Sequence, residues 1–152
     1  MRQPNRSPFV SHLRRWVWLA ALAAPAAAFA DDSESSLNVI EFQTRVRNTH
    51  GVVRCGLFDK QGWLKKPVQS ALGKISGTTA LCVFSRVRPG VYGLSAFHDE
   101  NNNGKLDTNF VGMPTEDYCA SRNARGTFGP PSFDDARFKY TGGTKRLVAN
   151  MK

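Results

Sequence analysis

The sequence is poor in groups that carry out chemistry: its 152 residues hold three histidines and three cysteines, and no nucleophile signature surrounds any of them. It also lacks any long stretch of helical periodicity, which argues against a helix bundle. Acidic residues are scarce, 12 against 21 lysines and arginines, for a formal charge of +9. Much of that excess has a local cause. Arg14 and Arg15 precede the apolar run Trp16 to Ala28, which ends in Ala28-Phe29-Ala30, the pattern of a secretory signal peptide over residues 1–30. The run is short for a membrane span and Asp31, Asp32 and Glu34 follow at once, so no transmembrane helix is expected after cleavage. No cysteine stands at the cleavage site, so a lipid anchor is not indicated there.

Removing residues 1–30 from the 152 leaves 122, enough for one compact core and too few for two ordinary domains. The expected organisation is a short disordered linker over 31–36 and a single domain over 37–150. The cleaved segment also takes Arg2, Arg6, Arg14 and Arg15 with it, lowering the charge from +9 to +5. The remaining bases are scattered, with pairs only at Lys65-Lys66 and Lys145-Arg146, so no nucleic-acid partner is expected. The protein is placed in the periplasm or outside the cell.

An oxidising compartment favours one disulfide among Cys55, Cys82 and Cys119, with one thiol left over. Spacing does not select the pair. Cys55 with Cys82 is preferred because both lie in apolar, strand-like runs that can face each other; three small buried apolar residues are the alternative.

Alternation and turn residues indicate a strand over Leu37–Arg47, a turn at Asn48–Gly51 and a second strand over Val52–Phe58, read as a hairpin. The segment 65–78, broken by Pro67, Gly73 and Gly77, yields only a short edge strand near Leu72–Ile75. Ala80–Val87 and Val91–Phe97 flank Arg88-Pro89-Gly90 as a second hairpin. Ser132-Phe-Asp-Asp135 can cap one helical turn, and Arg137–Tyr140 with Lys145–Ala149 form a closing hairpin around Gly142-Gly143. About six or seven short strands with almost no helix specify an all-β fold, a small antiparallel β-sandwich of transthyretin-like (prealbumin-like) or Ig-like type. The aromatics, among them Trp63, Tyr118, Phe128 and Phe133, read as core and loop plugs.

Residues 99–107, Asp-Glu-Asn-Asn-Asn-Gly-Lys-Leu-Asp, carry the clearest chemical signal. With Asp99 as the first position, Asn101 and Asn103 fall third and fifth, Gly104 sixth, the Lys105 carbonyl seventh and Asp107 ninth, the front of an EF-hand calcium loop. The twelfth position is Phe110 instead of a bidentate Glu, so Glu116, placed after Pro114, or Asp117 has to fold back as the late ligand, or water has to complete the shell. Two carboxylates and two amides supply little charge, and a Ca2+ affinity of roughly 10⁻⁴ to 10⁻³ M is expected. The competing reading is an Asn/Gly turn whose side chains satisfy their own backbone.

Residues 96–118, Ala-Phe-His-Asp-Glu-Asn-Asn-Asn-Gly-Lys-Leu-Asp-Thr-Asn-Phe-Val-Gly-Met-Pro-Thr-Glu-Asp-Tyr, are followed by Ser121, Asn123, Ala124, Arg125 and Gly126 and then by Pro131-Ser-Phe-Asp-Asp-Ala136. This series resembles the secreted bacterial family catalogued as domain of unknown function 2141. The resemblance implies an exported small β-sandwich and supplies no substrate. The chain departs from it at Cys119, where a Gly is expected, so no bridge at that position is implied.

Three functional classes fit these features. The first is a non-enzymatic module whose calcium-type loop orders a surface for an envelope or extracellular ligand, whether polysaccharide, lipid headgroup or protein. The second is a small hydrolase of transthyretin-like shape in which His98, Asp99 and Arg125 converge in a cleft. The third is a structural protein that pairs through an edge strand.

Overall fold

The computed structural model describes residues 38–152; the expected signal peptide and linker lie outside them. Eight strands follow in chain order: β1 (Val39–Arg45), β2 (Val52–Phe58), β3 (Gln69–Ser76), β4 (Thr79–Phe84), β5 (Gly90–Asp99), β6 (Tyr118–Ala120), β7 (Phe138–Tyr140) and β8 (Thr144–Asn150). Among the described residues, helix is limited to a 3-10 turn at Ser121–Asn123 and one α-helical turn, α1 (Phe133–Ala136). Ser132 caps α1 by accepting from the Asp135 N–H at 3.2 Å, as the sequence indicates. The all-β expectation holds, with eight strands in place of six or seven.

Period-two burial explains the strands. Ile40, Phe42 and Thr44 of β1 are buried while Gln43 and Arg45 face solvent; Val53, Cys55 and Leu57 do the same for β2, and Ala80, Cys82 and Phe84 for β4. These inner positions, with Leu94, Ala96 and Tyr140, form one continuous core.

The strands belong to a single sheet in the order β6-β5-β2-β3-β4-β1-β8, with β7 paired to β5. The sheet turns back on itself at β3, whose residues from Gln69 to Gly73 pair with β2 and from Lys74 to Ser76 with β4. Its far ends nearly meet: Tyr118 and Lys152 exchange N–H···O bonds of 3.1 and 3.2 Å, and Arg125 Nη2 donates to the Asn150 carbonyl at 2.6 Å. The result is an almost closed, barrel-like sheet that leaves little open edge.

The three expected hairpins are not formed. β1 pairs with β4 and β8, β2 with β3 and β5, and β7 with β5. The turns at 48–51, 88–90 and 142–143 instead carry the chain from one half of the sheet to the other. Turn residues show that a chain reverses; they do not say which strand it reverses onto. β8 consequently arrives beside β1 running parallel to it, against the all-antiparallel expectation. The tight hairpin the structure does contain is β3–β4, with Ser76 opposite Thr79 and Gly77 at φ 58°, the first turn position of a II′ hairpin. β3 is therefore eight residues long and interior, not a short edge strand at 72–75.

Cys55 and Cys82 form the disulfide, with Cα atoms 6.4 Å apart, joining the two strands that flank β3 on the inner face. Closing a loop of 27 residues contributes roughly 3–4 kcal/mol on a chain-entropy estimate. Gly73 of β3 lies against the bridge: a Cβ there would sit 3.0 Å from both Cys82 Sγ and Val53 Cβ, so a side chain would press on the bridge and on Val53. Cys119 is a buried free thiol, and burial pushes it up to about 11.

Candidate functional site

β5 ends at Asp99, and the chain then runs through residues 100–117 before re-entering the sheet as β6. Asp99 points outward on β5 but is fully covered by this connection. Its Oδ1 accepts from the Asn103 N–H at 2.9 Å, and its Oδ2 accepts from the Gly104 N–H at 2.9 Å and from Arg54 Nε at 2.5 Å. Burial acts to raise the Asp99 pKa; the Arg54 hydrogen bond and the two backbone N–H groups outweigh it and hold the carboxylate below its usual range. Asn102 and Gly104 take positive φ, 59° and 82°, which bends the backbone amides toward Asp99.

The remaining side chains of the calcium-type series do meet. Asp107 accepts from Asn101 Nδ2 at 2.6 Å and from Asn103 Nδ2 at 2.8 Å. The amide oxygens of Asn101 and Asn103 accept the N–H groups of Asn103 and Lys105 at 3.0 and 2.8 Å. Glu116 folds back over the loop, accepting from Glu100 N–H and Asp107 N–H, both at 3.0 Å. Asp99 Oδ1, both Asp107 oxygens and both Glu116 oxygens each accept one hydrogen bond and keep a lone pair, so the donor set fits a hard cation in chemistry. Among the described residues no three His, Cys, Asp or Glu side chains cluster tightly enough to hold a metal by themselves. A cation here would need the Asn and carbonyl oxygens.

The groups named for hydrolysis do not share a cleft. His98 is fully buried on the inner side of β5, opposite in direction to Asp99, with Nε2 donating to the His50 carbonyl at 2.6 Å. Its Nδ1 is buried without a hydrogen-bond partner, 3.8 Å from Glu100 Oε1. Glu100 is held below its ordinary pKa by Asn48 and by Arg47, which bonds it at 2.9 Å. Arg125 donates to Tyr118 O and Asn150 O and lies over the Tyr118 ring, 5.9 Å from its centroid.

A groove of about 1120 Å³ opens on the outer face of β2, β3, β5 and β6, beside the Asp99 loop. Leu72 and Phe97 lie on its floor with Arg54 at one end; Val111 and Met113 of the Asp99 loop form one wall, and Phe128 of the 126–131 segment stands on the other. Arg54 is the sole charged residue of this lining, and its charge is engaged by Asp99. Phe128 is 103% exposed, which corrects its reading as a plug, and Phe110 is 99% exposed; Phe133 is buried against Trp63. Trp63 Nε1 donates to the Pro131 carbonyl at 2.8 Å and so fixes the end of the second wall. The sequence reading missed Arg54, Leu72 and Phe97 as one surface. A signal for it exists in Phe110-Val-Gly-Met113, an apolar stretch inside a polar loop.

No curated protein and no solved structure matches this chain. Residues 43–147, more than half of its length, match the bacterial family described as "Uncharacterized protein conserved in bacteria (DUF2141)". By that match, and in agreement with the residues of the Asp99 loop, the chain belongs to the DUF2141 family.

Proposed function

We propose that this chain is an exported, non-enzymatic β module that holds an envelope or extracellular ligand in the groove beside the Asp99 loop. The observation that carries this reading is the groove itself: a wide, outward-facing surface with apolar walls from two loops and no uncompensated charge in its lining. The Cys55–Cys82 disulfide is compatible with an oxidising periplasmic or extracellular setting. Among the described residues no helix is long and apolar enough to cross a membrane. The finer fold class we assign is a small β-sandwich whose two layers share β3.

Calcium has a defined place in this proposal. Asp99, Asn101, Asn103, the Lys105 carbonyl and Asp107, with Glu116 as late ligand, would hold the ion and stiffen the wall that carries Val111 and Met113. What favours it is that Asp99, Asp107 and Glu116 keep free lone pairs on one loop; Asn101 and Asn103, which donate Nδ2 to Asp107, would have to turn their oxygens to the ion. Arg54 on Asp99 reduces the local negative charge, so binding belongs at the weak end of the calcium range.

The test is binding of the uncharged fluorescent probe N-phenyl-1-naphthylamine to the mature protein. Fluorescence enhancement is expected in the parent and in Val148→Glu, which alters the other half of the sheet, and is expected to be lost in Leu72→Glu. Equal enhancement in all three proteins, or none in the parent, would overturn the groove as the binding surface.

A further inference from the structure

We infer that the groove takes the uncharged hydrocarbon chain of a single lipid, laid along the outer face of β2, β3 and β5; this rests on the groove reading above. Charge matching is the first argument. Of the residues that line the groove only Arg54 is charged, and its Nε is already 2.5 Å from the buried Asp99 carboxylate. A polyanion or an acidic peptide finds no free cation there, and a cation finds no free carboxylate. A chain without charge loses nothing by entering.

Hydrogen bonding is the second argument, and it separates a lipid chain from a peptide. The centre of the floor is the face of a sheet: β2 is paired on both sides by β3 and β5, and β5 over Ser95–Phe97 by β2 and β6, while β3 over Gln69–Gly73 is paired with β2 alone. Peptide capture by strand addition needs free backbone groups, which β2 and β5 at the centre of the floor do not offer. The loop wall is sealed in the same way. Asn109 N–H donates to Met113 O at 2.8 Å and Gly112 N–H to Asn109 O at 2.9 Å, while Asn109 Oδ1 accepts from the N–H groups of Val111 and Met113 at 3.1 and 3.0 Å. Ser95 Oγ on the floor donates to the Cys119 carbonyl at 3.3 Å. An extended peptide would bury its own N–H and C=O groups against these occupied partners, whereas a hydrocarbon chain has none to bury. Leu72, Val111 and Met113, 61–64% exposed, would be covered by such a chain.

The experiment is competition against bound N-phenyl-1-naphthylamine by dodecan-1-ol and by a blocked, uncharged octapeptide of Val, Leu and Thr, in the parent, Leu72→Glu, Met113→Glu and Val148→Glu. All three substitutions are at exposed positions, and melting curves check that each variant folds. Dodecanol is expected to displace the probe from the parent and from Val148→Glu, with at least a tenfold weaker effect of the peptide, and to bind at least tenfold more weakly to the two groove variants. Displacement by the peptide but not by dodecanol would overturn the lipid-chain inference and leave the groove as the binding surface. Probe binding that ignores both groove substitutions would overturn the groove reading as well.

Discussion

Asp99 and Arg54 form a 2.5 Å ion pair on the outward side of neighbouring strands, and this pair ties the calcium-type loop to the floor of the groove. The carboxylate is fully buried while the arginine side chain is 35% exposed. Replacing Arg54 with Met leaves a buried carboxylate with only backbone donors. After allowance for the partial exposure of the arginine, a loss of about 2–3 kcal/mol is expected. A double-mutant cycle with Asp99→Asn, read by urea denaturation, should return a coupling well above the scatter of distant pairs. Additive losses would show that the two residues act independently.

Asp99 and Glu100 both titrate below their ordinary values in the folded protein. Their contribution to stability is therefore fully present above the unfolded carboxylate range, around pH 4, and is lost as pH falls through the lower folded values. Urea midpoints should decline with acidification in that window. Substituting Arg47 by Met should make the decline shallower, because Arg47 is one of the groups that hold Glu100 down. An unchanged pH profile in that variant would contradict the assignment.

Cys119 is buried and its thiol is raised to about 11, so at neutral pH it is a protonated, shielded group. Iodoacetamide should leave the native protein unmodified and label one cysteine after unfolding without reductant. Its raised pKa also lowers stability as pH climbs from the unfolded thiol value towards 11, since the unfolded chain releases the proton first. Rapid labelling of the native protein would contradict the burial of this residue.

The bridge between Cys55 and Cys82 crosses the place where the sheet turns at β3. Reduction should lower stability by roughly 3–4 kcal/mol on the chain-entropy estimate. Gly73→Ala should be destabilising even with the bridge intact, because its Cβ meets the sulfur and Val53 at 3.0 Å. Calorimetric unfolding of the oxidised, reduced and Gly73→Ala proteins checks both expectations.

Calcium is expected to raise the melting temperature only at millimolar concentration. With a dissociation constant of about 1 mM, 10 mM calcium would stabilise the fold by about 1.4 kcal/mol. Asp107→Asn should abolish that gain while leaving the calcium-free melt close to the parent, since the amide can still bond Asn101 or Asn103. Isothermal titration that is flat for parent and variant alike would leave the loop as a self-satisfied turn.

The sequence showed most strand positions, β3 excepted, and showed strand partners badly. Val52–Phe58 was readable to the residue because Val53, Cys55 and Leu57 alternate with outward positions. The Ser132 cap was readable because its chemistry is local. Pairing is not local: Asn48-Thr-His-Gly51 looks like a hairpin turn yet delivers β2 to β3 and β5, on the other side of the fold. Arg54 escaped notice for the same reason. A lone basic residue in a strand becomes a partner for Asp99 only once β2 is set beside β5. The Asp/Asn loop was visible because its spacing is contained in one stretch, while the groove, gathered from four strands and two loops, was not.

The most direct measurement is a nitrogen-15 chemical-shift map of the protein on titration with dodecan-1-ol. Saturable shifts concentrated at Leu72, Phe97, Val111, Met113 and Tyr118 are predicted, with Leu81, Val83 and Val148 on the other half of the sheet unmoved. Shifts centred on those last three residues, or none at saturating ligand, would contradict the account.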